Sequence, residues 1–89
     1  MTWTVEYTAT ALKQLRKLDK PTARGILDFM DERVAGDADP RSNGKALTGP
    51  LLSAFWRYRV GDYRIICDIR DGALQVLVVE VGNRREIYR

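Results

Sequence analysis

Three arginines, Arg57, Arg59 and Arg64, are closely spaced in the second half of the chain. The guanidinium group stays protonated and presents five N–H donors, so clustered arginines bind phosphate rather than exchange protons. The chain has no histidine and a single cysteine, Cys67. These counts exclude a Ser-His-Asp triad, a Cys-His dyad, an internal disulfide and zinc sites built from histidines or several thiolates. Any catalysis must therefore use arginine, lysine, tyrosine or carboxylate side chains.

The net charge of +3 is unevenly distributed along the chain. Residues 1–44 carry equal numbers of basic and acidic residues, so the surplus lies in residues 45–89, where seven of the eight bases are arginine. The planar fork of arginine suits bidentate contacts with phosphate. This bias favours a polyanionic partner over the alternative, a solvated surface with no partner.

Length and segment patterns restrict the domain organisation and the compartment. The 89 residues are predicted to form one domain over 1–89, since about 100–150 residues is the usual domain size. No apolar run approaches the roughly 18 residues of a membrane span, and the first residues lack the basic and apolar regions of a signal peptide. We therefore expect a cytoplasmic protein with no membrane partner. The glycines around Lys45 lack the spacing of a phosphate-binding loop, and we expect neither a cofactor nor a metal.

Hydrophobic periodicity predicts two helices and four strands. Leucines at helical spacing indicate amphipathic helices. Pro21 separates the two helices, because it disfavours helical geometry in the preceding residue and suits the start of the next helix. Residues 37–50 are rich in glycine, proline and small polar residues and are predicted as a connecting loop. The predicted elements are a strand over 3–7, helices over about 9–19 and 21–35, and strands over 55–60, 63–69 and 73–81.

These elements predict an α+β fold of the order β-α-α-β-β-β. The last three strands form an antiparallel meander, because Gly61-Asp62 and Asp71-Gly72 are both two-residue hairpin signals. The helices, joined by a short connection, form an N-terminal hairpin that packs on one face of the antiparallel sheet. The first strand joins the sheet at an edge.

Two-residue turns fix which residues of neighbouring strands lie opposite each other. The first turn places Arg59 opposite Arg64. The second, if it consists of residues 71 and 72, places Arg64 opposite Val79. The register of the whole meander follows from these two turns.

Strand alternation sorts the side chains of the meander onto two faces. One face is apolar and suited to packing under the helices. Cys67 lies within it and is predicted to be a small buried hydrophobe rather than a nucleophile. The ten members of this apolar face are Trp56, Tyr58, Val60, Tyr63, Ile65, Cys67, Ile69, Leu74, Val76 and Val78.

The opposite sheet face, here called the basic face, carries Arg57, Arg59 and Arg64 with no acid among them. Like charges in opposing positions destabilise a sheet by about a few tenths of a kcal/mol or more, so converging guanidinium groups predict an anion site. The alternative is an arginine cluster that only aids solubility. The predicted apolar floor consists of Ile66, Leu77, Val79 and Val81. The residues past Gly82 that can join the same patch are Arg84, Arg85, Tyr88 and Arg89.

Four segments of the chain resemble the RelE/ParE toxin superfamily of bacterial toxin–antitoxin systems, and the RelE branch most. They follow the family order almost from end to end, and the last two in tandem are the most specific. The segments are Ala11-Leu12-Lys13-Gln14-Leu15 with Leu18, Gly44-Lys45-Ala46-Leu47-Thr48-Gly49, Trp56-Arg57-Tyr58-Arg59-Val60-Gly61-Asp62-Tyr63-Arg64, and Val81-Gly82-Asn83-Arg84-Arg85-Glu86-Ile87-Tyr88.

The resemblance implies the toxin of a type II toxin–antitoxin system, acting as a ribosome-dependent mRNA endonuclease. RelE-like toxins enter the ribosomal A site and cut the codon there. The 2′-hydroxyl attacks the adjacent phosphate without a metal ion or cofactor and leaves a 2′,3′-cyclic phosphate. Translation is inhibited as a result.

By position, the resemblance implies roles for individual residues. Arg57 and Arg59 match two basic strand residues that serve catalysis and RNA placement. Arg64 and Arg84 match arginines suited to stabilising the charge of the transition state. Tyr88 matches the C-terminal tyrosine, which can act as acid or base. The expected RNA-binding residues are Lys45, Arg85 and Arg89.

The chain departs from the family pattern at three positions. Family members often carry lysine where this chain has Arg57 and Arg59, and many carry histidine where it has Asn83. Arginine does not give up its proton, and asparagine lacks the imidazole group of histidine. The general base of a cleavage reaction is therefore left unassigned.

Two other functions fit the same residues. ParE-like toxins share the fold and poison DNA gyrase, although they generally lack the full arginine and tyrosine set. A non-catalytic nucleic-acid-binding module needs only the basic face. Either toxin function implies a cognate antitoxin that covers the basic face or displaces Tyr88 with an acidic or amphipathic segment. The expected partners are this antitoxin, the ribosome and mRNA, and the toxin–antitoxin complex is expected to bind its own operator DNA.

Overall fold

The structure is a computed structural model that describes residues 3–47 and 55–83. Its helices and strands follow one another in the order predicted from the sequence. The α+β class is confirmed, with a short additional strand. A π-helical turn, Met30–Val34, continues the second helix, and 3-10 helices span Pro40–Asn43 and Asp71–Ala73. The main elements are β1 (Thr4–Tyr7), α1 (Ala9–Arg16), α2 (Lys20–Phe29), β2 (Lys45–Ala46), β3 (Phe55–Val60), β4 (Tyr63–Arg70) and β5 (Gln75–Asn83).

Both helices begin at side-chain caps. The Thr8 hydroxyl accepts a hydrogen bond from the backbone N–H of Ala11 at 3.1 Å, and the Asp19 carboxylate accepts one from that of Thr22 at 3.1 Å. Each cap satisfies a backbone donor that the first helical turn leaves without a partner. The caps fix the residues at which the two helices begin. From there α1 packs on β5 and α2 packs on β3. Within the described residues, no helix is long and apolar enough to cross a membrane.

The five strands form one sheet in the order β1-β5-β4-β3-β2. As predicted, β1 joins at an edge, where it runs parallel to β5, and the other neighbouring strands are antiparallel. The opposite edge is β2, a strand of two residues that lies inside the segment 37–50. The prediction that this whole segment is a loop was wrong there, because two residues are too few to show a strand period.

The first hairpin of the meander has the predicted register. Gly61 occupies a positive φ of 58°, the backbone conformation that a tight hairpin turn requires and glycine adopts without strain. Val60 then lies opposite Tyr63, and Arg59 lies opposite Arg64. The central arginine pair is therefore confirmed as a feature of the fold.

The second hairpin differs from the prediction. Residues 71–73 form a 3-10 turn and Leu74 adopts a left-handed conformation, so strand pairing begins at Arg70 opposite Gln75. A shift in register follows between Ile66 and Cys67, where β5 contains one extra residue and forms a bulge. The predicted two-residue turn and the pairing of Arg64 with Val79 are both wrong, and Arg64 instead lies opposite Gly82.

The core lies between the helices and the apolar face of the sheet. All ten residues predicted for that face belong to it or pack against it, and Cys67 is fully buried, as predicted. Val81 was predicted on the basic face, but it is 2% exposed and belongs to the core. The bulge is the reason, since one extra residue in β5 exchanges the two faces for everything after it.

Candidate nucleic-acid interface

Two rows of side chains cross the basic face, because residues directly opposite each other on neighbouring strands point to the same side of a sheet. One row runs through four strands and the other through three. The longer row consists of Lys45, Arg57, Ile66 and Glu80. The shorter row lies beside it and consists of Arg59, Arg64 and Gly82. The structure thus adds Lys45 to the three arginines, so four cations lie in these two neighbouring rows.

A pocket of about 170 Å³ lies at the β2 end of the basic face. It is lined by Asn43 and Gly44, which precede β2, and by Lys45, Arg57 and Arg59. Three of these five residues are cationic, and none is acidic. A concave surface with one sign of charge concentrates counter-charge, so the pocket suits a phosphate group.

The segment that leads to Lys45 is fastened through Pro40 and Arg41. The guanidinium of Arg41 donates two hydrogen bonds to the Asp71 carboxylate, at 2.9 and 2.6 Å, and lies 5.6 Å from the ring centre of Trp56. The Tyr58 hydroxyl donates a 2.6 Å hydrogen bond to the carbonyl of Pro40. These bonds fasten the 3-10 helix before β2 to β3 and to the β4–β5 turn.

Gly44 is required at its position by a close approach. A Cβ atom there would lie 2.9 Å from Cε1 of the Tyr58 ring, closer than carbon atoms pack. The glycine therefore lets the chain pass over Tyr58 and enter β2, which brings Lys45 opposite Arg57.

The Arg59–Arg64 pair combines one accessible and one buried guanidinium. Arg59 is exposed, whereas Arg64 is only 2% exposed. Nη1 of Arg64 lies 3.5 Å from the carbonyl oxygen of Tyr63. Arginine remains charged when buried, so Arg64 supplies a fixed positive charge beside Arg59.

The bulge in β5 also brings an acid onto the basic face. Glu80 lies opposite Ile66 and diagonally across from Arg64, and its side chain is exposed. The prediction that no acid lies among the arginines was therefore wrong, because it assumed unbroken alternation along β5. Asp68 lies on the same face at the other end of β4, where it accepts a 3.2 Å hydrogen bond from Arg70.

Cys67 is not placed to act as a nucleophile in the folded protein. Its side chain is fully buried in the core, and burial, with a smaller contribution from the charge of Asp68, raises the pKa of its thiol. A nucleophilic cysteine needs the opposite setting, with partial exposure and a lowered pKa.

The predicted site residues divide into two groups. Lys45, Arg57, Arg59 and Arg64 lie together on the basic face. The predicted residues Arg84, Arg85, Tyr88 and Arg89 lie outside the residues that the structure describes. The sequence prediction missed Arg41 and Glu80, whose roles depend on contacts between distant segments, and Asn43 beside Lys45.

Comparisons with known proteins place the chain among bacterial and archaeal toxins. Residues 5–88 match the family model described as ParE toxin of type II toxin-antitoxin system, parDE. The chain is 33% identical to Toxin RelG of Mycobacterium tuberculosis over 91 residues, covering 100% of this chain and 99% of RelG.

Solved structures show the same fold. The toxin–antitoxin complex RelBE2 from M. tuberculosis matches with a TM-score of 0.85 and 27% identity, over 94% of this chain and 100% of the matched chain. The archaeal RelE–RelB complex from Pyrococcus horikoshii matches with a TM-score of 0.75 and 26% identity, over 94% of this chain and 97% of the matched chain. Sequence and structure thus lead to the same group of toxins.

Proposed function

The chain belongs to the RelE/ParE superfamily of type II toxins, and we propose that it acts there as a ribosome-dependent mRNA endonuclease that inhibits translation. The supporting observation is the gathering of four cations, Lys45, Arg57, Arg59 and Arg64, on one sheet face. This face suits a strand of RNA phosphates, and fixed cations stabilise the charge that builds up during phosphoryl transfer.

The cations form two pairs that suit two successive phosphates of one strand. Lys45 and Arg57 lie opposite each other, as do Arg59 and Arg64. Arg57 and Arg59 are two residues apart on β3, which separates the pairs by about 6.8 Å along the strand. We assign the phosphate that is cut to the Arg59–Arg64 pair, and a neighbouring phosphate to the pocket at Lys45 and Arg57.

In the proposed reaction, the 2′-oxygen of the mRNA attacks the adjacent phosphorus and the bond to the 5′-oxygen breaks, without a metal ion. The five-coordinate phosphorane carries extra negative charge. Arg59, which is exposed, would bind that charge directly, and the buried Arg64 would add a fixed positive charge next to it. Arg84 and Tyr88, assigned by resemblance alone, would add a further positive charge and the proton for the leaving 5′-oxygen, and Arg85 and Arg89 would bind RNA.

The test is A-site cleavage on programmed ribosomes, detected by toeprinting. Wild-type protein should produce a cut in the A-site codon and leave ribosome-free RNA largely intact. Arg59→Gln should lower the cleavage rate about 10²–10³-fold, the usual effect of losing one charge-stabilising donor. The matched control is Arg24→Gln, which removes a 78% exposed arginine from α2 and should cleave at the wild-type rate. The absence of an A-site cut by wild-type protein would refute the proposal.

Inhibition of DNA gyrase is the second candidate function, because the family model that matches residues 5–88 is that of the ParE toxin. The discriminating measurement is a supercoiling assay with the same protein preparation. Inhibited supercoiling without an A-site cut would establish this function instead. The four-cation face favours the nuclease, since it supplies groups that phosphoryl transfer needs.

We further propose a cognate antitoxin as the cellular partner. Its support is the match to the RelBE2 complex, which is a toxin bound to its antitoxin. An acidic or amphipathic antitoxin segment would neutralise the basic face, and the joint complex would bind operator DNA. Ribosomes and mRNA are the remaining partners of the proposed activity.

A further inference from the structure

Glu80 is the one described acid that the bulge in β5 turns onto the basic face. With unbroken alternation along β5 it would point toward the helices, whereas the observed register sets it opposite Ile66. Bulges are frequent beside active sites, where they redirect a side chain. We propose that Glu80 is the general base that removes the proton of the attacking 2′-hydroxyl. This inference rests on the proposed RNA cleavage. It supplies the general base, which stayed unassigned because the chain departs from the family pattern at Arg57, Arg59 and Asn83.

The position of Glu80 fits a base that works beside bound phosphates. It shares a row with Lys45, Arg57 and Ile66, in which Ile66 separates it from Arg57. Neighbouring strands lie about 4.8 Å apart, so Glu80 and Arg57 are roughly 10 Å apart across the row at the backbone. The attacking ribose can lie over the apolar floor of Ile66, between Glu80 and the neighbouring phosphate at Arg57, while the phosphate that is cut lies at the Arg59–Arg64 pair. Glu80 is also a diagonal neighbour of Arg64, at a Cα spacing of about 7–8 Å.

The arginines and the two other described carboxylates of the face are less suited to this step. Glu6 lies on the edge strand β1 opposite Leu77, which puts it in the row of Asp68 and away from the arginine pair. The arginines stay protonated, so they cannot accept a proton. Asp68 is engaged by Arg70 at 3.2 Å and lies next to Phe55 and Leu77, away from the arginine pair. Glu80 is exposed and takes part in none of the ion pairs between described residues, so its carboxylate is available to an incoming strand.

The step balances as a proton transfer coupled to transesterification. The Glu80 carboxylate takes the proton of the 2′-hydroxyl, and the electron pair of that O–H bond forms the new bond from the 2′-oxygen to phosphorus. The bond from phosphorus to the 5′-oxygen breaks, and the 5′-oxygen takes a proton from water. The products are a 2′,3′-cyclic phosphate and a free 5′-hydroxyl, with no change of oxidation state.

The test compares Glu80→Gln with Glu80→Asp and with Glu32→Gln. Glu32 is an exposed acid in the π-helical turn, so its variant makes the same charge change on a different element. The measurements are the single-turnover cleavage rate on programmed ribosomes, the affinity for a short fluorescent RNA, and the melting temperature. Glu80→Gln should lower the rate about 10²–10⁴-fold, the usual contribution of a general base. RNA affinity should stay equal or rise, because a negative charge leaves the basic face.

The controls separate a base from a structural residue. Glu80→Asp keeps a carboxylate and should recover part of the rate, and Glu32→Gln should cleave like the wild type. An active wild-type protein with an equally active Glu80→Gln variant would overturn the assignment of Glu80 and leave the nuclease proposal standing. A loss of cleavage matched by a loss of RNA affinity or of folding would also overturn it. A wild-type protein that cuts no mRNA would overturn both proposals.

Discussion

The hydroxyl of Tyr58 offers the sharpest test of how the pocket segment is held. The residue is fully buried, and its hydroxyl donates a 2.6 Å hydrogen bond to the carbonyl of Pro40, which is buried as well. Tyr58→Phe removes this bond and keeps the ring, which packs edge-on against Phe29 with ring centres 6.1 Å apart. The substitution therefore isolates one hydrogen bond between β3 and the segment that leads to Lys45.

The expected cost follows from the burial of the acceptor. Leaving a buried acceptor without its donor costs about 1–3 kcal/mol, more than the net value of an exposed hydrogen bond. In a domain of this size, 1 kcal/mol changes the melting temperature by about 4–8 °C. We expect Tyr58→Phe to lower the melting temperature by roughly 5–20 °C. RNA affinity should fall too, since the loosened segment carries Lys45 into the pocket.

Tyr7→Phe is the matched control. The Tyr7 hydroxyl is buried and has no hydrogen-bond partner among the described residues. Removing it should leave stability unchanged or slightly raised, because a buried polar group without a partner costs free energy. Burial raises the pKa of both tyrosines, to about 12 for Tyr7, so a melting experiment at pH 7 compares two neutral hydroxyls. Equal melting temperatures for the two variants would refute the reasoning.

Two further predictions concern the Arg41–Asp71 bridge and Cys67. The double variant Arg41→Gln/Asp71→Asn keeps the net charge but should weaken RNA binding several-fold in a fluorescence titration. The equivalent double variant of the exposed Arg24–Asp28 pair in α2 should bind RNA like the wild type. An equal effect of the two double variants would contradict a positioning role for the Arg41–Asp71 bridge. The hydrogen bonds from Arg41 lower the pKa of Asp71. The bridge is therefore fully formed at pH values above the ordinary aspartate pKa, and it is lost only as the pH falls through the lowered pKa. The buried Cys67 thiol, with its raised pKa, should resist alkylation at pH 8 in native protein and react fully in denaturant, as followed by mass spectrometry, and rapid native labelling would contradict its place in the core.

The first hairpin could be predicted because its turn is specified locally. Gly61 tolerates the positive φ of a two-residue turn, and that turn sets the pairing of every residue from Val60 back to Arg57. The arginine pair and the position of Cys67 in the core follow from that register and from simple alternation. Both were therefore accessible from the sequence.

The second hairpin was not accessible because its turn differs from the two-residue turn that Asp71-Gly72 indicates. Both carboxylate oxygens of Asp71 are bonded to Arg41, which is 30 residues away, and no local pattern reveals that contact. The chain continues through a 3-10 turn to Leu74, whose left-handed conformation is rare for a bulky residue and has no sequence signal. Pairing begins at Gln75 as a result.

The bulge in β5 is accompanied by side-chain contacts from α1 and its capping residue. The Thr8 hydroxyl donates to the carbonyl of Val79 at 3.3 Å, and the side-chain oxygen of Gln14 accepts from the backbone N–H of Val81 at 2.6 Å. These bonds satisfy backbone groups where the strand ladder is interrupted. Since they join residues more than 65 positions apart in sequence, no local pattern in β5 reveals them.

This displaced register decides which chemistry the basic face can support. With unbroken alternation the positions beside the arginine pair would be taken by valines, which cannot accept a proton. The bulge sends Val81 into the core and presents Glu80 instead. The face then holds fixed cations and a carboxylate, the groups that the proposed RNA transesterification requires in a chain without histidine. In that proposal, one extra residue in β5 separates a row of cations with no base beside it from one that carries the base as well.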